Sequence, residues 1–148
     1  MSNVWSPHLI KHINALERVQ KYFTKRIPAL SNMSYPERLA AMDLESLELR
    51  RLKCDLVMYF KCLNNIVALP SQDFFIQSLN NTQTRAGGNR LYVPIFSTNH
   101  FANDFFNRCI VCYNSLPVEV VNVHSVTIFK NLINNIDFSR FLHCSYFS

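Results

Sequence analysis

Hydrophobic residues recur at three- and four-residue spacing through the first part of the chain, which predicts one face of an amphipathic helix. The apolar positions are Leu9, Ile13, Leu16, Val19, Phe23 and Ile27. Ser6 followed by Pro7 is typical of a helix start, and Pro28 ends the pattern because the residue before a proline avoids helical geometry. We therefore predict a helix from about Pro7 to Ile27. It should bury Leu9, Ile13, Leu16, Phe23 and Ile27 and leave Lys11, Arg18 and Lys25 exposed.

Two further helices are predicted before residue 64. Ser34 and Glu37 have the spacing of a capping box, so a short helix should run from there to about Met42. Asp43 or Ser46 is expected to cap a longer helix. The apolar positions of that helix share one face, and they are Leu49, Leu52, Leu56, Tyr59, Phe60 and Leu63.

The second half of the chain begins with a polar, loop-like region at 64–84. Residues 90–95 could form a short extended segment, which Pro94 would restrict to an edge or an isolated strand. A helix from near Thr98 or Asn99 to Tyr113 should present Phe101, Phe105, Cys109 and Cys112 along one stripe. The break at 114–117 precedes a last helix, capped by Ser125, with its apolar positions at Val126, Phe129, Leu132, Ile133 and Ile136.

These patterns predict a mainly α protein. The only two glycines, Gly87 and Gly88, are adjacent, and so few flexible residues disfavour an all-β chain with many tight turns. We expect a single helical domain over 1–148, with about five helices and at most one short extended segment or hairpin.

Composition narrows the class of protein. The 148 residues are 49% hydrophobic and 17% charged, which is too apolar for a disordered tail. Either part of the apolar surface is covered by a binding partner, or the apolar residues simply fill the core. Since no apolar run has transmembrane length and five irregularly spaced cysteines suit a reducing compartment, we expect an intracellular protein, cytoplasmic or nuclear, without a membrane partner.

Charge is uneven along the chain. The net charge is +5, and residues 11–61 hold ten of the fifteen Lys and Arg. On one interpretation these side chains track a phosphate backbone, with a second patch at Arg50, Arg51 and Lys53. The first group comprises Lys11, Arg18, Lys21, Lys25 and Arg26. On the other interpretation they are solvated helix faces that pair locally with Glu17, Glu45, Glu48 and Asp55.

The sequence lacks the carboxylate patterns that polymerases and nucleases use for catalysis. A polymerase needs paired aspartates to hold two divalent ions, and the ten acidic residues include no Asp-Asp pair. Nothing suggests the carboxylate cluster of a nuclease either. Cys109 and Cys112 have the spacing of half a zinc site, but a structural site needs four ligands, so we expect buried core thiols. The sequence thus predicts no enzyme activity, no cofactor and no bound metal.

The amino-acid sequence of several blocks resembles that of a known family. Residues 4–27 contain VWSP, LERVQ and FTKRI; residues 34–64 read SYPERLAAMDLESLELRRLKCDLVMYFKCLN; and Thr84-Arg85 precedes the stretch ending at Pro94. The run FFNRCIVCYNSLPVEVVNVHSVTIFKNLI follows from Phe105. In order and spacing these blocks resemble the region after the thumb in jockey-type and related LINE-like non-LTR retrotransposon reverse transcriptases. Tyr113 stands where that family usually carries Trp, so we expect its ring to anchor the turn at 114–117. The fingers, palm and thumb have no counterpart here.

The resemblance implies a non-catalytic part of an RNA-directed DNA polymerase. Such a region would contact RNA template or DNA and dock on the polymerase core, so the expected partners are RNA or DNA, bound weakly and without sequence preference, and that core. Arg85 joins the candidate contact residues. The alternative is a helical protein-interaction module whose positive charge is incidental.

Overall fold

The computed structural model describes residue 7, residues 9–67 and residues 105–143. This part of the chain is mainly helical and contains no strand, as predicted for a mainly α protein. Its α-helices are α1 (Ile10–Lys25), α2 (Tyr35–Ala41), α3 (Leu47–Leu63), α4 (Phe105–Asn114), α5 (Val118–Val121) and α6 (Val126–Asn134). Two 3₁₀ turns lie at Pro28–Leu30 and Ser139–Phe141. The predicted extended segment at 90–95 and most of the predicted loop at 64–84 lie outside the described residues.

Local side-chain chemistry accounts for where α2 and α3 begin. The predicted capping box is present, because the Ser34 backbone N–H donates to Glu37 Oε2 at 2.7 Å. Of the two candidate caps for α3, Ser46 has the role: its Oγ accepts from the Leu49 N–H at 3.2 Å. Asp43 instead adopts a positive φ of 51° in the preceding turn, a conformation that Asp tolerates better than most residues.

By contrast, α1 begins at Ile10, later than predicted and without a side-chain cap, and Ser125 precedes α6 as predicted but makes no cap hydrogen bond.

The chain divides into two compact units, and each has its own core. The first comprises residues 1–52 and 137–148, and the second comprises residues 53–136. In the first unit α1 packs against α2, and the buried apolar side chains are Ile13, Tyr35, Leu39 and Phe138. That the whole chain forms a single domain stays a prediction.

Aromatic rings dominate the core of the second unit. Phe60 of α3 stacks on Phe129 of α6 with ring centroids 4.2 Å apart, and Tyr59 lies 5.1 Å from Tyr113. The other buried apolar residues of this unit are Leu56, Cys62, Cys109, Ile110, Cys112, Leu116, Val120 and Ile133. The predicted inward faces of α3 and α6 are thereby confirmed at their central positions.

Helix α1 turns a different face inward from the one that its apolar spacing predicts. Leu9 is 44% exposed, Val19 52% and Phe23 66%, whereas Glu17 and Thr24 are buried beside Ile13. The prediction that Leu9 and Phe23 are buried is therefore wrong, and Leu16 and Ile27 are only half-buried, although the exposure of Lys11, Arg18 and Lys25 is confirmed. The physical reason is that the two polar residues have hydrogen-bond partners inside the unit, which offsets their desolvation.

The turn after α4 is anchored by Tyr113, as its position before 114–117 predicts. Its ring is 3% exposed, burial raises the pKa of its hydroxyl to about 12, and its carbonyl accepts from the Leu116 N–H at 3.1 Å. A buried aromatic in this place closes the core beside a chain reversal.

Replacing Tyr113 by alanine should lower the free energy of unfolding by about 3 kcal/mol, because it leaves a cavity beside Tyr59. Urea denaturation followed by circular dichroism measures this. Val111→Ala is the matched control on the same helix, since Val111 is 54% exposed and its truncation should cost less than about 0.5 kcal/mol. Equal costs for the two variants would contradict the anchoring role of Tyr113.

Candidate nucleic-acid interface

The solvent-facing side of α1 carries three cations in a line. Lys11, Arg18 and Lys25 are exposed, and each is seven residues from the next. Seven residues are close to two helical turns, so the three side chains leave the helix in nearly the same direction, about 10 Å apart along the axis. We name these three residues the α1 basic row.

The only carboxylate of α1 lies on the buried side of the helix. Glu17 is fully buried, and its Oε2 accepts from the Tyr35 hydroxyl at 3.1 Å. The same oxygen accepts from the Leu47 N–H at 3.2 Å, and Oε1 accepts from the Glu48 N–H at 3.5 Å. Glu17 therefore satisfies two N–H groups at the start of α3 and is directed away from the α1 basic row.

This arrangement makes Glu17 a helix cap supplied by another helix. The first N–H groups of a helix have no partner within it, and the helix dipole favours a negative charge there. A buried carboxylate at that position is satisfied by the donors and in turn holds α1 against the start of α3. Burial, together with the charge of Glu17, raises the pKa of Tyr35 well above its usual value.

Raising the pH should destabilise the first unit through Tyr35. Because the pKa of Tyr35 is higher in the folded chain, its contribution to stability is complete below pH ~10 and is lost as the pH rises through the folded value. Tyr35→Phe should therefore have a shallower fall of urea midpoint between about pH 9.5 and 11.5 than the parent has. Tyr22→Phe, an exposed control, should keep the parent's slope; the same slope in Tyr35→Phe would contradict the assignment.

Two other acidic residues that could have neutralised basic helix faces are also engaged elsewhere. In the first unit, Glu48 is buried and its Oε1 accepts from the His143 N–H at 2.8 Å. In the second unit, Asp55 is buried and forms an ion pair with Arg108 at 2.9 Å. Local pairing with these carboxylates therefore does not account for the α1 basic row.

The other two candidate cations of α1 and its end contact aromatic rings. Lys21 is half-buried, with its Nζ 5.1 Å from the centroid of the Tyr35 ring. Arg26 is exposed; its guanidinium lies 4.3 Å from the Tyr22 ring centroid and donates to the Tyr22 hydroxyl. Lys21 is thus partly committed to the packing of α1 on α2, whereas Arg26 extends the exposed positive surface.

The second predicted patch is exposed only in part. Arg50 is exposed, whereas Arg51 and Lys53 are half-buried, and Lys53 Nζ donates to Asn134 Oδ1 at 3.1 Å. Arg50 is therefore the member of this patch that is most accessible to a ligand. Arg85 lies outside the described residues.

Sequence reasoning gave no role to two exposed aromatic residues of α1. Tyr22 is 54% exposed, and Phe23, which was predicted to be buried, is 66% exposed. The available signal was position: Tyr22 is four residues after Arg18 and three before Lys25, which places it on the basic face.

The described residues contain no group of three or more His, Cys, Asp or Glu side chains that could hold a metal ion. Cys109 and Cys112 are buried in the second unit, as expected of packing residues. Among the helices described, none combines the length and the apolar character needed to cross a bilayer.

Removing metal ions should leave the melting temperature of the protein unchanged. If Cys109 and Cys112 only pack, incubation with a strong chelator should shift the melting temperature by less than about 1 °C, because no metal-ligand bonds are lost. Differential scanning calorimetry with and without the chelator measures this. A fall of several degrees that added Zn²⁺ reverses would instead show a zinc site.

Comparison of the chain with protein-family models, curated proteins and solved structures gives no match.

Proposed function

We propose that this chain is a non-catalytic nucleic-acid-binding module whose contact surface is the α1 basic row with Arg26. The observation that supports it best is the separation of charge on α1. Three exposed cations share one face, while the only carboxylate of the helix is buried and bonded to the start of α3.

Cations arranged in this way attract a phosphate strand. Each Lys or Arg that neutralises a phosphate releases condensed counterions, and this entropy gain is independent of base sequence. A face with four such side chains should bind weakly and without sequence preference.

The resemblance to non-LTR reverse transcriptases supplies a context for such a module. In that context the chain would be the region after the thumb, docking on a polymerase core and supporting RNA template or DNA during target-primed reverse transcription. The module would contribute phosphate contacts, and the catalytic aspartates would belong to that core.

Salt dependence tests the proposal. Fluorescence anisotropy with a labelled 20-nucleotide single strand of RNA or DNA should show binding at about 20 mM salt, with log affinity falling against log salt at a slope of about −3. No binding at low salt, or a slope near zero, would contradict a phosphate-contacting role.

A protein-interaction module is the second candidate, and exposed apolar residues favour it. Ile10 is 55% exposed and Val19 52%, so α1 leaves apolar surface that a protein partner could cover. Docking of an apolar surface on a protein partner would weaken little as salt rises, so the same titration separates the two functions.

A further inference from the structure

The exposed face of α1 contains two adjacent aromatic rings. The Tyr22 and Phe23 ring centroids are 6.2 Å apart and the ring planes are inclined by 82°, so the rings meet edge to face. Both are more than half exposed. Leaving large aromatic side chains in water costs free energy, so a ligand that covers two adjacent exposed rings is stabilised by their burial.

Tyr22 also lies near the middle of the basic row. Arg18 is one turn before it, and Lys25 and Arg26 are one turn after it, so cations flank the ring along the helix. Arg26 stacks over Tyr22 at 4.3 Å and donates to its hydroxyl, which holds the ring on this face. Tyr22 and these cations therefore form one surface, and Phe23 adjoins it through its ring contact with Tyr22.

We propose that Tyr22 and Phe23 stack against unpaired bases, so that the α1 face prefers single-stranded nucleic acid to duplex. The inference rests on the proposed function and specifies its ligand. A single strand offers the π faces of its bases to the rings while its phosphates reach Arg18, Lys25 and Arg26. A duplex offers the same phosphates, but its bases are already stacked on one another.

The decisive variant removes the rings and keeps the apolar surface. In the full chain, Tyr22→Leu/Phe23→Leu should bind a labelled 12-nucleotide single strand at least tenfold more weakly than the parent, as expected when stacking with a base is lost. Affinity for a 12-base-pair duplex should change less than about twofold, and the salt slope should stay the same because no cation is removed.

Two controls separate ring chemistry from folding and from general apolar contact. Tyr22→Phe keeps the ring without its hydroxyl and should retain most of the affinity for single strands. Val19→Ala truncates an exposed apolar residue of the same helix and should leave affinity unchanged. Both variants and the double variant should keep the parent's circular dichroism spectrum, since all three positions are exposed.

Each outcome decides the inference. A loss of affinity confined to single strands supports it. If affinity for RNA and for DNA strands falls equally, the bases alone define the ligand; if only affinity for RNA falls, the ligand is RNA. If the double leucine variant binds single strands as the parent does while salt still weakens binding, stacking is wrong and the phosphate-binding function stands. Equal loss with duplex also overturns stacking, and absence of any binding overturns both proposals.

Discussion

Replacement of Glu17 by alanine is expected to lower the free energy of unfolding by about 3 kcal/mol. The variant leaves the Leu47 and Glu48 N–H groups and the Tyr35 hydroxyl without the carboxylate that accepts from them. These donors are at or near the buried side of the first unit, and each buried donor without a partner costs about 1–3 kcal/mol. The start of α3 also loses a negative charge at the positive end of its dipole.

Matched substitutions separate capping from loss of charge. Glu17→Gln keeps an oxygen that can accept from one donor and should cost less than Glu17→Ala. Glu119→Ala removes an exposed carboxylate from the first turn of α5 and should cost less than about 1 kcal/mol. Urea denaturation followed by circular dichroism gives all three values, and a cost for Glu17→Ala no larger than that for Glu119→Ala would contradict the cap.

The Glu17 arrangement also shows where sequence patterns succeed and fail. Helix boundaries depend on neighbours in the chain, so the spacing of Ser34 and Glu37 revealed one cap and left Ser46 as one of two candidates for another; both caps are present. Ser125, predicted from the same kind of signal, makes no cap hydrogen bond. Tyr113 was predictable for a similar reason, because the break that follows it is local. In these places the interactions that decide the structure are within about four residues of one another.

The inward face of α1 depends instead on residues far along the chain. Glu17 is buried because an N–H group thirty residues later in the chain donates to its carboxylate. Thr24 is buried because Arg38 donates to its hydroxyl at 3.1 Å. An apolar stripe cannot reveal partners of this kind, so the spacing assigned Phe23 to the core. The same error concealed the aromatic part of the candidate interface, because a residue assigned to the core is not considered as a ligand contact.

The largest expected effect on function comes from reversing the α1 basic row. The triple variant Lys11→Glu, Arg18→Glu and Lys25→Glu replaces three cations by three anions, so the formal net charge falls by six, from +5 to −1. Loss of three phosphate contacts should reduce the salt slope for a single strand by about 2, and affinity at low salt should fall at least a hundredfold. The fold should persist, since all three side chains are exposed.

A control with charges outside α1 distinguishes a local contact surface from a general effect of net charge. Lys130→Glu/Arg140→Glu reverses two exposed cations that lie on α6 and the second 3₁₀ turn, outside α1. If the α1 row contacts phosphate, this double variant should change the slope by less than about 0.5, because it removes none of the proposed phosphate contacts. Equal effects per reversed charge would mean that binding follows net charge. A triple variant that binds as well as the parent would remove α1 from the interface and favour the protein-interaction module, whose apolar contacts at Ile10 and Val19 the reversals leave intact.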